Sequence, residues 1–133
     1  MYLSNVFTTF LTILLTSYTN PAHAGCYVTG DFISAEETGI QVGRACHGYG
    51  NPRVAGAFQG VFAPLQKKSS CVNVSGGQHV DMEITNLSTT TSLNLDDDVC
   101  QAEMMVNVYN CNQGGWHDAG GWKYRVDPNP GSC

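Results

Sequence analysis

The sequence predicts an α+β fold: a single-domain sandwich in which a mainly antiparallel sheet packs with two helices and is held by three disulfides. Three observations predict it. Val80, Met82 and Ile84 alternate with Asp81, Glu83 and Thr85, the pattern of a half-buried antiparallel strand. Residues 96–113 combine an acidic start with apolar residues at helical spacing. The chain holds six cysteines, an even number. Strands outnumber helices, and two helices need one sheet face to cover.

The elements follow in chain order. Residues 26–33 set β-branched and aromatic side chains around one glycine and read as a first strand. Ser34 and Glu37 have the spacing of a capping box, and Ile40, Val42 and Cys46 follow until Gly48 ends the helix near residue 47. Residues 48–52 form a turn, and residues 57–63 a strand closed by Pro64. Strands at 71–74 and 79–85 flank residues 75–78, whose two glycines suit a tight reversal. The Ser/Thr-rich stretch 86–94 reads as a loop. Asp96, Asp97 and Asp98 then open the second helix, where carboxylates complement the dipole and cap free N–H groups. Val99, Ala102, Val106 and Tyr109 give its apolar stripe, and Gly114-Gly115 stops it. In 122–126, Trp122, Tyr124 and Val126 share one strand face, with Lys123 and Arg125 on the other. Residues 127–131 are turn-forming, and Cys133 pins the tail.

The first residues add a targeting expectation. Residues 6–15 are an uncharged, largely apolar run, followed by Ala22-His23-Ala24. A short apolar stretch ending in A-x-A is a secretory signal, here over 1–24, with cleavage after Ala24. The run is too short to span a bilayer, which takes about 20 residues. The expected secreted, extracellular domain is therefore 25–133, and it contains Cys26, Cys46, Cys71, Cys100, Cys111 and Cys133. In an oxidising compartment these form disulfides. Cys100 and Cys111 lie about three helical turns apart, roughly 16 Å. Disulfide Cα atoms lie within about 7 Å, so these two do not join each other. The other connectivities stay open. Asn73 and Asn86 each begin an N-glycosylation sequon.

Charge narrows the function. Acidic residues outnumber basic ones 11 to 6, for a net charge of −5. That gives no electrostatic case for nucleic acid or membrane insertion. No HExxH helix, EF-hand loop or G-x-S-x-G occurs, so no metal, cofactor or catalytic group is expected. The aspartates at 96–98 read as helix-terminal rather than as a calcium site. The most enzyme-like feature is the His79, Asp81, Glu83 row, a set that a small secreted ribonuclease-like hydrolase could use, with His47, Arg53 and Arg125 available. Its plain alternative is the solvent face of a two-sided strand.

Residues 109–122 carry a different chemistry. Glycine pairs at 114–115 and 120–121 bracket Trp116, His117 and Asp118, and Asn112 precedes them. Sugars offer an apolar C–H face that stacks on a ring, and hydroxyls that need paired donors and acceptors. This segment reads as an exposed loop with Trp116 for stacking and His117, Asp118 and Asn112 for hydrogen bonds. Trp116, between glycines, is not expected to alternate into a strand. His47, with Tyr49 and Asn51 of the 48–52 turn, forms a second set.

The helix with Cys100, Glu103, Met104, Tyr109 and Cys111, together with the ending Gly120-Gly121-Trp122 through Cys133, resembles small cysteine-rich secreted proteins of fungi. The chain resembles in particular the mushroom glycan-binding family called Y-three. The resemblance covers the second half of the chain. It implies a single-domain α/β sandwich lectin, non-enzymatic, with glycans or glycoproteins as partners and a role in defence. A more distant likeness is to killer-toxin-like sandwich proteins acting at cell surfaces. Their activity is linked to basic residues, whereas this chain is acidic.

Overall fold

The strand read at 79–85 is an inner strand of the central sheet. In the computed structural model, which describes residues 24–133, it runs as β4 (Gln78–Asn86) with Val80, Met82 and Ile84 fully buried. It pairs over its whole length with β7 (Trp122–Pro130), from Gln78↔Pro130 to Asn86↔Trp122. Trp122, Tyr124 and Val126 of β7 face the same interior as Val80, Met82 and Ile84. The turn expected at 127–131 is instead strand up to Pro130. Gly131 N–H donates to Gly77 on the β4 side, so alternation turns the ring nitrogens of Pro128 and Pro130 toward the opposite, unpaired edge.

On the far side of β4 lies β3 (Lys67–Val74), joined to it through Ser75-Gly76-Gly77. On the far side of β7 lies β6 (Gly115–Ala119), and outside that β1 (Ala24–Cys26). The result is a five-stranded antiparallel sheet in the order β1-β6-β7-β4-β3. Strand β6 occupies the segment expected to be a loop. Gly120 and Gly121, both at positive φ, form a two-residue hairpin turn between Ala119 and Trp122.

The other strands are shorter than their patterns suggest. The first ends at Cys26, and residues 27–33 run on as irregular chain tied by Tyr27 N–H to Gly114 and Ile33 N–H to Asn112. Of the strand expected at 57–63, only β2 (Val61–Phe62) forms. It pairs with β5 (Leu93–Asn94), inside the stretch read as loop.

Helix α1 (Ala35–His47) and helix α2 (Asp97–Asn110) cover one face of the sheet. The start of α2 is as the acidic run predicts: Asp96 accepts from the N–H groups of Asp98 and Val99. Its buried stripe is not. Cys100, Met104, Asn107 and Val108 face the core, while Val99, Ala102, Val106 and Tyr109 are exposed. Two stripes of comparable spacing existed, and the disulfide cysteine selects the one that packs. The helix ends at Asn110, ahead of Gly114-Gly115. In α1 the buried residues are Thr38, Val42, Ala45 and Cys46, and Ile40 is exposed. The expected capping box does not form. Ser34 is the N-cap without a side-chain bond, and the Glu37 carboxylate accepts from Ser75 N–H (2.7 Å) and Ser75 Oγ.

Three disulfides close the fold. Cys46–Cys100 joins the two helices, Cys26–Cys111 joins β1 to the end of α2, and Cys71–Cys133 fastens the tail to β3. Cys100 and Cys111 thus each reach a different element. Among the described residues, no helix is long and apolar enough to cross a membrane. The leader expected over 1–24 lies outside the described residues except for Ala24, which pairs with His117.

Candidate functional site

Both helices lie on one face of the sheet, and among the described residues no helix or strand covers the other. Strand alternation assigns residues between the two. His117 falls on the helix side and is 6% exposed. Its Nε2 lies 2.8 Å from Glu103 Oε2, its Nδ1 lies 3.1 Å from Asn107 Oδ1, and its ring stacks on Tyr124. Asn107 Nδ2 donates in turn to the Tyr124 carbonyl (3.2 Å). Burial, with Glu103 nearby, raises the Tyr124 phenol above its ordinary range. His117 therefore ties α2 to the sheet and is not available at the surface, which corrects its expected role as a sugar contact.

Trp116 and Asp118 fall on the open face. Trp116 is half-buried within β6, paired with Gly25 on one side and Arg125 on the other. It does alternate into a strand, contrary to expectation, because Gly25 leaves room for the indole. A Cβ at Gly25 would sit 2.9 Å from Trp116 Nε1. Lys123 Nζ stands 4.5 Å from the centre of the Trp116 ring. Asp118 is directly across from Lys123, and its Oδ1 is buried without a hydrogen-bond partner among the described residues.

Arg125 organises the middle of this face. Its Nε donates to Tyr27 Oη (2.8 Å), its Nη2 to Asp127 Oδ2 (2.5 Å), and its Nη1 lies 3.3 Å from Glu83 Oε2. Burial works against its charge, and Tyr27, Asp127 and Glu83 more than offset that. Beside it, Cys26, Tyr27, Val28, Thr29, Arg125 and Asp127 line an open groove of about 420 Å³. The groove adjoins Trp116 through Arg125, its cross-strand partner. The alternation in 122–126 had already put Lys123 and Arg125 on one face. Tyr27 lies in irregular chain, where no periodicity could mark it.

The remaining expected contacts lie elsewhere. Asn112 is exposed in the link between α2 and β6, and its side chain has no hydrogen-bond partner among the described residues. Tyr49 is 51% exposed at the β3 edge, three strands from β6, where Arg44 stands 5.8 Å from its ring centre. The structure thus brings Trp116 and Asp118 together and separates them from His117, Asn112 and Tyr49.

The His79, Asp81, Glu83 row also lies on the open face, where His79 Nε2 stands 3.4 Å from Asp81 Oδ2 and each side chain has a further partner. His79 Nδ1 is 3.0 Å from the Gly131 carbonyl, Asp81 accepts from Asn129 Nδ2, and Glu83 is held by Lys67 and Arg125. Four residues along one strand separate His79 and Glu83 by roughly 13 Å, too far to share one reacting bond. Cys71, His79 and Asp81 come together, but the Cys71 sulfur is bonded to Cys133 and offers no thiolate. Asp97 accepts from Gln59 Nε2 and Asp96 caps α2, so this acidic run serves the helix start.

The two sequons differ sharply. Asn73 is exposed, and among the described residues only its Oδ1 is engaged, by Cys133 N–H. Asn86 is fully buried, and its Nδ2 donates to the carbonyls of Phe62, Ala63 and Thr91. An N-glycan needs that nitrogen.

A family model described as Glycan binding domain Y3 matches residues 41–133. The span includes all of the sheet except β1, and with it Trp116, Asp118, Lys123 and Arg125. No curated protein matches the chain.

Proposed function

The chain belongs to the family of the glycan binding domain Y3, and from that premise we propose that it is a secreted lectin holding glycans on the open face of its sheet. The observation that carries this site is the Trp116 indole beside the unpartnered Asp118 carboxylate oxygen, next to the Tyr27–Arg125–Asp127 groove. The sugar's C–H face stacks on Trp116, displacing the Lys123 ammonium, and a hydroxyl donates to Asp118 Oδ1. Arg125, neutralised by its carboxylate neighbours, anchors the floor. Such a surface suits neutral sugars, which need rings and acceptors more than net charge. His117 acts indirectly, by fixing β6 against α2.

On this reading the protein is exported with 1–24 as its leader, starts at Gly25, comes from a fungus, and binds glycoproteins in defence without turning them over. The separate partners of His79 and Glu83 favour binding over hydrolysis. A glycan array on oxidised protein tests the proposal. Signals should appear for a defined set of neutral glycans and vanish with Trp116→Ala while the circular dichroism spectrum is kept. An array without signal, or full binding by Trp116→Ala, overturns it.

A further inference from the structure

At the opposite edge of the sheet a second concavity of about 360 Å³ lies between α1, the 49–57 loop and β3. Its volume is within the range of small-molecule pockets, about 300–1,000 Å³. Gln41 and Arg44 line it from the helix, Tyr49 from the loop, and Ser70 and Val72 from the strand. Its walls are held in place. Tyr49 and Val54 exchange two backbone hydrogen bonds, Phe58 N–H donates to Ala45, and Arg53 reaches back to the His47 carbonyl. The strand wall is fastened by Cys71–Cys133. Among the described residues β3 is the last strand, and alternate backbone N–H and C=O groups along it have no strand partner on this side.

The charge of this cleft runs against that of the molecule. The chain carries −5, yet the lining has one cation, Arg44, and no carboxylate. Among the described residues Arg44 makes no ion pair; its guanidinium stands over the Tyr49 ring. Arg125 on the open face is the contrast, since Glu83 and Asp127 compensate it. A guanidinium with free donors, next to an exposed ring and hydrogen-bonding side chains, is built to take an acidic group on a flat, hydroxylated body.

We infer that this cleft is a second sugar site, taking saccharides that bear a carboxylate or sulfate group. The acid pairs with Arg44, the sugar ring stacks on Tyr49, and hydroxyls bond Gln41 and Ser70. The molecule is then bivalent, with a site for neutral sugars on the open face and one for acidic sugars at the β3 edge. The inference goes beyond the Trp116 site and does not rest on it.

NMR titration of the oxidised protein tests it with four probes: methyl glucoside, methyl glucuronide, glucose 6-sulfate and inorganic sulfate. One or both acidic sugars should shift the Arg44 and Tyr49 resonances and bind about tenfold more tightly than the glucoside. Their relative affinity tells carboxylate from sulfate recognition. Arg44→Gln should abolish the preference, Tyr49→Ala should weaken each acidic sugar that binds, and Trp116→Ala should leave that binding unchanged. Three results overturn the inference: equal binding of glucoside and acidic sugars, a preference that survives Arg44→Gln, or inorganic sulfate matching the sugars, which means an adventitious ion only. Because Trp116→Ala is a separate arm, failure of one site is distinguishable from failure of the other.

Discussion

Trp116 and His117 are adjacent in the chain and lie on opposite faces of β6. Trp116 rests over Gly25 on the open side, and His117 is 6% exposed between Glu103 and Asn107 of α2. One residue of register therefore separates a candidate ligand contact from a core contact.

Replacing His117 by alanine leaves the buried Asn107 Oδ1 and the partly exposed Glu103 carboxylate without their partner. The expected cost is about 2–3 kcal/mol of stability. Urea unfolding followed by fluorescence measures it. Glycan affinity of the folded protein should stay within about twofold of wild type, which marks His117 as structural.

Lys123 Nζ stands over the Trp116 ring, on which the proposed sugar would stack. A cation on a ring at the surface contributes about 0.5–1 kcal/mol. Lys123→Met should therefore raise affinity for a neutral glycan by about two- to fivefold. Calorimetric titration at one ionic strength checks this, and a weakened complex would assign Lys123 a direct contact instead.

Expression in a glycosylating host should give occupancy at Asn73 and none at Asn86. Peptide mass spectrometry reads this directly. Asn73→Gln should remove the modification at little cost in stability. Asn86→Ala should cost about 3 kcal/mol, since three carbonyls around it lose their donor.

Glu37 gives a pH signature. Hydrogen bonds from the Ser75 side chain and backbone hold its carboxyl below the ordinary 4.5. A depressed carboxyl contributes stability above the unfolded value and loses it as pH falls through the folded one. The difference in stability between wild type and Glu37→Gln should be constant from neutral pH down to about 5.5 and shrink below 4.5. Denaturant unfolding across that range measures it. A difference that grows toward acid pH would contradict the assignment.

Much of the sheet is legible in single side chains. Val80, Met82 and Ile84 identify β4, and Trp122, Tyr124 and Val126 identify β7, because two-residue alternation survives whatever the partner strand is. Asp96 marks the start of α2 for an equally local reason, a carboxylate reaching N–H groups two and three residues on. Strand β6 escapes because its flanking glycines look like loop residues. Gly120-Gly121 between two short runs was nevertheless a hairpin signal. The prolines at 128 and 130 concealed the end of β7, since only the neighbouring strands reveal that their ring nitrogens face an unpaired edge.

By itself, the sequence determined the α+β class, the three disulfides and the centre of the sheet. These follow from periodicity, cysteine count and composition, all readable within short windows. Tertiary structure decided which stripe of α2 is buried, which cysteines join, and that Trp116 shares a face with Asp118 but not with His117. It also separated Tyr49 from Trp116, setting one ring beside the edge strand β3 and the other on β6, three strands away. The physical reason is that faces and edges belong to paired strands and packed helices. A residue acquires its surroundings only when segments distant in sequence come together.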